Sequence, residues 1–172
     1  MASPAKYRRF EDLYEEHRLE VLAYCIRRLE RDEAADACSE TFLVAWRKLD
    51  ELPPPPETLP YLYGIARKVV SNHARSLRRR VRLDARLSSL GVSPVADPSA
   101  VVVQNSQHRE VIAAVRRLKP TDREIVMLFA WEDLPRETIA EMMGMTRSAI
   151  DQRIHRANQR LARILEPGGT TA

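Results

Sequence analysis

The sequence predicts an all-α protein of two small helical domains joined by a flexible linker. Apolar residues recur at steps of three and four along most of the chain, and no segment alternates apolar and polar residues as a half-buried strand does. The helical pattern fails from Leu83 to about Asn105, a stretch that serine, proline and glycine punctuate, and residues 86–106 are assigned to the linker. Because so long a loop is unusual inside one compact domain, residues 1–85 and 107–168 are expected to form separate domains.

The first domain opens with two amphipathic helical stretches. The first ends near Leu29 and is either continuous or broken near His17 and Arg18. The second is expected from Glu33 to Leu49, with the Asp32 side chain as its N-cap. The predicted buried face of this second helix consists of Ala35, Cys38, Phe42, Ala45, Trp46 and Leu49.

Four successive prolines, Pro53 to Pro56, end the second helix, since they cannot continue a helix and favour an extended polyproline segment. A third helix is expected to begin at about Leu59 and Pro60, because proline is tolerated in a first turn. It runs into an arginine block near residue 80. Its predicted buried side consists of Leu62, Ile65, Ala66, Val69, Val70 and His73.

The second domain begins near Gln107 and ends in three closely spaced helices. Thr121 to Glu124 have the sequence of a capping box for the first of these helices. The other two are separated by the short turn 143–146, in which Gly144 suits a left-handed position and Thr146 suits an N-cap. Such a spacing is typical of a helix-turn-helix, whose second helix lies in the major groove of DNA.

The last helix is predicted to have one apolar and one polar, largely basic side. The residues expected to be buried are Ile150, Ile154, Ala157, Leu161 and Leu165. The opposite side presents Arg147, Ser148, Gln152, Arg153, Arg156 and Arg160. An ordinary helical hairpin with a solvated charged face gives the same pattern, so periodicity alone leaves both interpretations open.

Composition argues against several classes of protein. No apolar run approaches the roughly 20 residues of a membrane helix and no signal-peptide core follows the N-terminus, so a cytoplasmic protein without a membrane role is expected. Cys25 and Cys38 have no histidine at ligand spacing, which favours buried thiols over a metal site, and no cofactor is expected. No P-loop or catalytic triad is visible, so catalysis is not expected.

Charge is distributed unevenly, although the net charge is only +4. Residues 1–60 carry 9 basic and 13 acidic side chains, whereas residues 61–90 carry 8 basic side chains and the single acidic residue Asp84. The basic segment predicts a polyanionic partner, and the acidic segment predicts a basic or polar one.

In this order and spacing, the segments resemble an extracytoplasmic-function (ECF) RNA polymerase sigma factor, a type of the sigma-70 family that keeps only regions 2 and 4. The region 2 helices that bind the clamp helices of the polymerase β′ subunit are similar to DEAADACSETFLVAWRKLDEL. The helix that melts and reads the −10 element is similar to PYLYGIARKVVSNHARSLRRR. Region 4, which reads the −35 element while bound to the β flap, is similar to LKPTDREIVMLFAWEDLPRETIAEMMGMTRSAIDQRIHRANQRL.

This resemblance implies a sigma factor that binds core RNA polymerase and promoter DNA and directs promoter-specific initiation, with a cognate anti-sigma factor as a further partner. The residues it implies for the −10 element and the melted strand are Tyr61, Tyr63, Arg67, Lys68, Asn72, Arg75, Arg78, Arg79 and Arg80. Those implied for the −35 element are Arg136, Thr146, Arg147, Ser148, Gln152, Arg153 and Arg156. Those implied for polymerase binding are Asp36, Ser39, Glu40, Phe42 and Trp46.

Several of these residues have alternative roles. Tyr61 and Tyr63 lie two positions apart and cannot share a helix face, so packing is the alternative for each, as it is for Trp46. Asp151 stands where the family often has a basic residue. It is expected either to accept a hydrogen bond from cytosine or to orient Arg147.

Three other functions remain open at this stage. They are a DNA-binding regulator that acts without polymerase, a helical adaptor that binds no DNA, and an enzyme acting on nucleic acid. Association with core RNA polymerase separates the first two from a sigma factor.

Overall fold

A computed structural model describes residues 3–88 and 106–165, with side chains for residues 3–77, 79 and 110–165. Within these ranges the chain forms seven α-helices and one 3-10 turn, and no strand. The chain divides into two compact units, Met1–Ser99 and Ala100–Ala172. The prediction of an all-α protein with two small domains is therefore confirmed. Of the predicted linker, residues 89–105 lie outside the described ranges.

The first unit is a bundle of three helices, each of which packs against the other two. Helix α1 spans Pro4–Ile26, α2 spans Arg31–Arg47 and α3 spans Thr58–Ser88, and a 3-10 turn at Leu49–Glu51 follows α2. The largest side chains that this unit buries completely are Val21, Tyr24, Cys25, Thr41, Leu49 and Leu62.

The second unit contains four helices, and α7 packs against each of the other three. Helix α4 spans Ser106–Arg116, α5 spans Pro120–Ala130, α6 spans Arg136–Met143 and α7 spans Arg147–Leu165. The fully buried large residues of this unit are Ile125, Leu128, Ile139 and Ile150, and a further cluster joins Leu118, Val126, Ala157 and Leu161. This arrangement holds α7 by one side and leaves its other side at the surface.

Helix α1 has a side-chain cap at its N-terminus, and helix α2 does not. The Ser3 side chain caps α1 by accepting a hydrogen bond from the Lys6 amide at 3.3 Å, and α1 runs through His17 without a break. Helix α2 has Glu30 at its N-cap position without a side-chain cap bond, so the predicted Asp32 cap is wrong. Asp32 lies in the first turn, where its negative charge interacts favourably with the positive end of the helix dipole.

Helix α5 likewise begins earlier than the capping box predicted. Pro120 occupies the first turn, and its fixed φ suits that position, so the helix starts before Thr121. Lys119 stands at the N-cap position without a side-chain cap bond. The predicted capping box at Thr121 to Glu124 is therefore wrong, although the helix itself is present.

Helix α3 is longer than predicted at its C-terminal end. It continues to Ser88, through residues from Leu83 onward where the helical pattern was expected to fail, so residues 86–88 of the predicted linker are helical. The residues beyond the arginine block include arginine, leucine and alanine, which are good helix formers. At the start of α3 the buried Thr58 hydroxyl donates to the Pro53 carbonyl oxygen at 2.9 Å. This bond ties the proline segment to the helix that it precedes.

The predicted buried faces hold with local exceptions. The buried side of α3 from Leu62 to Val70 is confirmed. Ala35 is exposed, because the buried stripe of α2 passes through Ala34 and Ala37 instead, and Leu165 is exposed at the end of α7. Periodicity predicts the direction of a helix face but not where the neighbouring helix covers it. None of the described helices is both long and apolar enough to cross a membrane.

Candidate nucleic-acid interface

The turn between α6 and α7 has the geometry that its sequence predicts. Gly144 adopts a left-handed conformation with φ of 63°, and its amide donates to the Glu141 carbonyl oxygen at 3.2 Å. The Met145 amide donates to the Ala140 carbonyl oxygen at 2.9 Å. The Thr146 hydroxyl then accepts a hydrogen bond from the Ala149 amide at 3.2 Å. The predicted left-handed glycine and the predicted N-cap are both confirmed, and together they form the turn of a helix-turn-helix.

Helix α7 presents a polar side to solvent along its length. Ile150, Ile154 and Ala157 are buried, as predicted. The exposed residues of the predicted interface on this helix are Arg147, Ser148, Gln152 and Arg156. Arg156 donates to the Gln152 side-chain oxygen at 3.1 Å, one turn back along the helix. This surface is positioned as the second helix of the motif requires.

Four charged side chains form an ion-pair network where α6 and α7 begin. The Arg136 Nη1 lies 3.1 Å from one Asp151 oxygen, and the Arg147 Nε lies 3.7 Å from the other. The Arg147 Nη1 also lies 2.5 Å from a Glu137 oxygen. Of the two roles open to Asp151, the geometry supports the orientation of Arg147. We call Arg136, Glu137, Arg147 and Asp151 the α6–α7 network.

Arg153 has an internal partner that sequence reasoning missed. Its Nη1 lies 2.6 Å from an oxygen of Asp122, in the first turn of α5. Arg153 is half-buried, and this pair connects α7 to a helix 31 residues earlier in the chain. An ion pair across such a sequence separation leaves no local signal.

Five residues of α3, four of them exposed, form one continuous stripe along the helix. Positions 61, 68, 72, 75 and 79 fall within about 60° of one another around an ideal helix and span roughly 27 Å along its axis. We call Tyr61, Lys68, Asn72, Arg75 and Arg79 the α3 stripe. Tyr61 is half-buried and the other four are exposed. Arg75 donates to the Asn72 side-chain oxygen at 2.9 Å, so two members of the stripe hold each other in place.

The two tyrosines at the start of α3 have different environments. The Tyr63 ring stacks on Tyr24 with centroids 5.3 Å apart, and Tyr63 is only 4% exposed. Tyr63 lies about 200° around the helix from Tyr61, so the two rings point to nearly opposite sides of α3 and only Tyr63 faces the core. Arg67 is half-buried. The side chains of Arg78 and Arg80 lie outside those that the structure describes.

The residues predicted to bind polymerase divide between the surface and the interior of the first unit. Asp36, Ser39 and Glu40 are exposed on α2, and Glu40 lies 3.0 Å from the His73 Nε2 of α3. Phe42 is buried, because its ring packs edge-on against Phe10 and Tyr14 of α1. The ring is therefore not available for direct contact with a partner.

Two apolar residues of α2, Trp46 and Leu43, lie partly or largely at the surface. Trp46 is half-buried between Tyr7 and Phe10, with centroid distances of 5.1 and 5.2 Å. Leu43 is 52% exposed and lies one turn after Glu40 and two turns after Asp36. Sequence reasoning missed Leu43, although its spacing from the two acidic residues could have indicated it.

The two cysteines are buried free thiols, as predicted. Burial raises the pKa of Cys25 to about 12, with a further contribution from Cys38 that the charge of Arg28 partly opposes. Burial also raises the pKa of Cys38. In the described part of the chain, no three His, Cys, Asp or Glu side chains are grouped to hold a metal ion.

Two family models match the chain in consecutive segments. The model of Sigma-70 region 2 matches residues 13–80, and the model of Sigma-70, region 4 matches residues 108–161. These segments contain the α3 stripe and the helix-turn-helix respectively.

Two curated relatives illustrate the similarity. The chain is 32% identical over 133 residues to the probable RNA polymerase sigma factor RfaY of Xanthomonas campestris, which covers 74% of this chain and 33% of that protein. It is 30% identical over 158 residues to the ECF RNA polymerase sigma factor BldN of Streptomyces coelicolor, which covers 91% of this chain and 60% of that one. The chain thus spans a third and three-fifths of the lengths of these two relatives.

A solved structure has the same fold. The sigma factor RpoE from Bartonella quintana, determined in complex with the anti-sigma factor NepR, superposes with a TM-score of 0.69 at 22% sequence identity. The similarity covers 92% of this chain and 98% of that one.

Fold and site together define a two-domain helical protein with a helix-turn-helix in its second domain. With regions 2 and 4 both matched in chain order and ECF sigma factors among its relatives, the chain belongs to the ECF type of the sigma-70 family.

Proposed function

We propose that this chain binds core RNA polymerase and directs promoter-specific transcription initiation. In this proposal, region 2 engages and melts the −10 element, and region 4 reads the −35 element. The observation that carries the proposal is the presence in one chain of the α3 stripe and an exposed helix-turn-helix surface, in the order of the family. Residues 1–85 and 107–168 would act as the two DNA-binding domains, joined by residues 86–106.

The α3 stripe fits the capture of a melted strand. Single strands bind to aromatic faces on which bases stack and to cations that follow the backbone. Tyr61 supplies a ring at one end of the stripe, and Lys68, Arg75 and Arg79 supply cations along the rest of it. Tyr63 is not part of the proposal, since its ring is in the core.

The polar side of α7 fits the reading of duplex DNA. Side chains near the start of a recognition helix reach base edges, and arginine and glutamine are among the common base-reading residues. Arg147, Ser148, Gln152 and Arg156 are exposed for this role. We propose that Arg153 supports α7 through Asp122 rather than reading a guanine.

The exposed face of α2 fits a protein partner. Asp36, Ser39 and Glu40 lie one to two turns before an exposed apolar side chain, Leu43, and Phe42 on the buried side packs against the rings of α1. We propose that this face binds the β′ clamp helices and that region 4 binds the β flap. Because the structurally similar sigma factor RpoE was solved in complex with the anti-sigma factor NepR, we propose an anti-sigma factor as a further partner. The protein would act in the cytoplasm, by binding rather than by catalysis.

The proposal is tested by transcription in vitro with the purified full-length chain and core RNA polymerase. Start sites are mapped on fragmented genomic DNA with and without the chain. We expect initiation at defined sites only when both proteins are present, and weak duplex binding by the chain alone. The regulator interpretation replaces this proposal if the chain alone binds a specific duplex at nanomolar affinity and core polymerase adds nothing.

A variant pair examines the role proposed for Tyr61. Tyr61→Ala is expected to reduce promoter opening by roughly tenfold or more, because one base–aromatic stack contributes about 1–3 kcal/mol. Opening is measured by permanganate reactivity of unpaired thymines on a promoter mapped as above. Leu77→Ala is the matched control, since Leu77 is exposed on the same helix away from the stripe. Equal opening by the two variants would exclude a role for Tyr61 in strand capture.

A further inference from the structure

We infer that Glu137 and Asp151 are specificity-determining residues, which act by holding Arg147 in one orientation at the surface that reads the upstream element. The inference deepens the proposed function and rests on it. Arg147 is the first residue of α7, and its guanidinium lies between a carboxylate of α6 and a carboxylate one turn further along α7. Two anchors on different helices restrict both the position and the plane of the guanidinium.

The exposure of the α6–α7 network indicates that it orients rather than stabilises. The four side chains are between 39% and 59% exposed. Ion pairs that solvent reaches to this extent contribute little to folding. Instead, they restrict the orientations of the Arg147 side chain in the free protein, so that less conformational entropy is lost when Arg147 contacts a base. A guanidinium reads guanine through two parallel hydrogen bonds, so its plane must be correct before contact.

The charge pattern of α7 supports a role for Arg147 in base recognition rather than in general attraction to DNA. The network contains two arginines and two carboxylates, so its formal charges cancel. After Asp151, every charged residue of α7 is basic: Arg153, Arg156, Arg160 and Arg163. Arg153 pairs with Asp122, so attraction to phosphates, which is independent of sequence, is concentrated beyond it, at Arg156, Arg160 and Arg163. The first turn of the helix gains little from DNA unless the acceptors of a base match the held guanidinium.

Both oxygens of Asp151 already face a cation. One lies by Arg136 and the other by Arg147, at 3.1 and 3.7 Å. A cytosine amino group would have to compete with both arginines. Asp151 is therefore a positioning residue, and its removal should alter recognition at the base pair that Arg147 reads.

The test measures base preference with the holoenzyme. Core polymerase carrying the full-length chain is equilibrated with promoter duplexes randomised across the upstream element, and the bound fraction is sequenced. Arg147→Gln should abolish preference at one base pair, a loss of roughly tenfold or more. Glu137→Gln and Asp151→Asn should each weaken preference several-fold at that same base pair. Adding Glu137→Gln to Arg147→Gln should cause no further loss.

Glu141→Gln is the matched control. Glu141 is an exposed residue of α6 outside the network, so this substitution removes the same charge without touching Arg147. Thermal unfolding of each variant should stay close to that of the parent chain, so that changed preference reports recognition. If Glu137→Gln and Asp151→Asn both behave like Glu141→Gln, the inference fails while the proposed function stands. If Asp151→Asn changes preference at a different base pair from Arg147→Gln, Asp151 reads a base itself and the inference is wrong. If the parent chain selects no sequence, the proposed function fails as well.

Discussion

Neighbouring residues of region 2 have opposite environments, and this decides their chemistry. Phe42 is buried among the aromatic rings of α1, whereas Leu43 beside it is exposed. Cys25 is fully buried and Cys38 nearly so, although Ser39 next to Cys38 is exposed. A residue's role in this domain therefore depends on its angle around the helix more than on its position along the chain.

The buried thiols should be unreactive in the folded protein. Because the pKa of Cys25 is raised to about 12, its thiol stays protonated at pH 8, and the thiolate that attacks disulfide reagents is scarce. We expect the native chain to react with an aromatic disulfide reagent far more slowly than the same chain in urea, followed by absorbance. Cys38→Ala isolates Cys25 in this measurement. Equal native and denatured rates would show that Cys25 is accessible.

The same pKa shift predicts how stability depends on pH. A folded pKa above the unfolded value means that the unfolded chain loses its proton first as pH rises. The stabilisation from the neutral Cys25 thiol is therefore fully present below about pH 9 and is lost progressively toward pH 12. Urea unfolding of the parent chain and of Cys25→Ala at pH 8 and pH 10 should show a smaller pH-dependent loss in the variant.

At the scale of elements, two helices each combine a buried apolar face with an exposed polar face. Helix α3 packs into the bundle through Leu62, Ala66 and Val69 and presents the α3 stripe on another side. Helix α7 is held by α4, α5 and α6 along its apolar side. The exposed residues of both helices are thus fixed by packing that they do not take part in.

The turn between α6 and α7 should depend on Gly144 for a backbone reason alone. A Cβ at this position would meet no atom within 4 Å, but φ is +63°. We expect Gly144→Ala to destabilise region 4 by about 1–2 kcal/mol, the cost of a left-handed L-residue. The measurement is urea unfolding followed by circular dichroism.

Gly64 is the matched control for this substitution. It lies inside α3 and its Cβ would also meet nothing within 4 Å, so only the backbone term differs. Gly64→Ala should stabilise region 2 by about 0.5–1 kcal/mol, because glycine is unfavourable in a helix interior. The two glycine-to-alanine substitutions should therefore change the free energy of unfolding in opposite directions. A neutral Gly144→Ala would show that the turn adopts another conformation at little cost.

At the scale of the whole molecule, each compact unit has a core of its own. The first buries Tyr24 and Leu62, and the second buries Ile125, Leu128 and Ile139. Each core is completed by helices of the same unit. The two regions are therefore expected to fold without each other.

Separate expression tests this independence. Fragments covering residues 1–88 and 106–172 should each be helical and unfold cooperatively by circular dichroism. The melting curve of the full-length chain should resemble the sum of the two fragment curves. An unfolded fragment, with the full-length chain intact, would show that one unit depends on the other.

The features that the sequence by itself determined are those that depend on local periodicity and turn chemistry. The two-domain all-α class, the left-handed Gly144, the Thr146 cap and the buried cysteines follow from residues within a few positions of one another. The resemblance to the ECF sigma factors likewise rested on contiguous motifs and their order. These predictions needed no knowledge of which helix packs against which.

The tertiary structure decided everything that depends on partners distant in sequence. Asp122 and Arg153 are 31 residues apart, and Glu40 meets His73 across 33 residues, so no local pattern predicted either contact. Periodicity placed Tyr61 and Tyr63 on different faces but did not show which one Tyr24 would cover. The physical reason is that a side chain's exposure and hydrogen bonds are set by the helices packed against it. For Arg147, Arg153 and Tyr63, that packing determines which groups remain exposed at the surface.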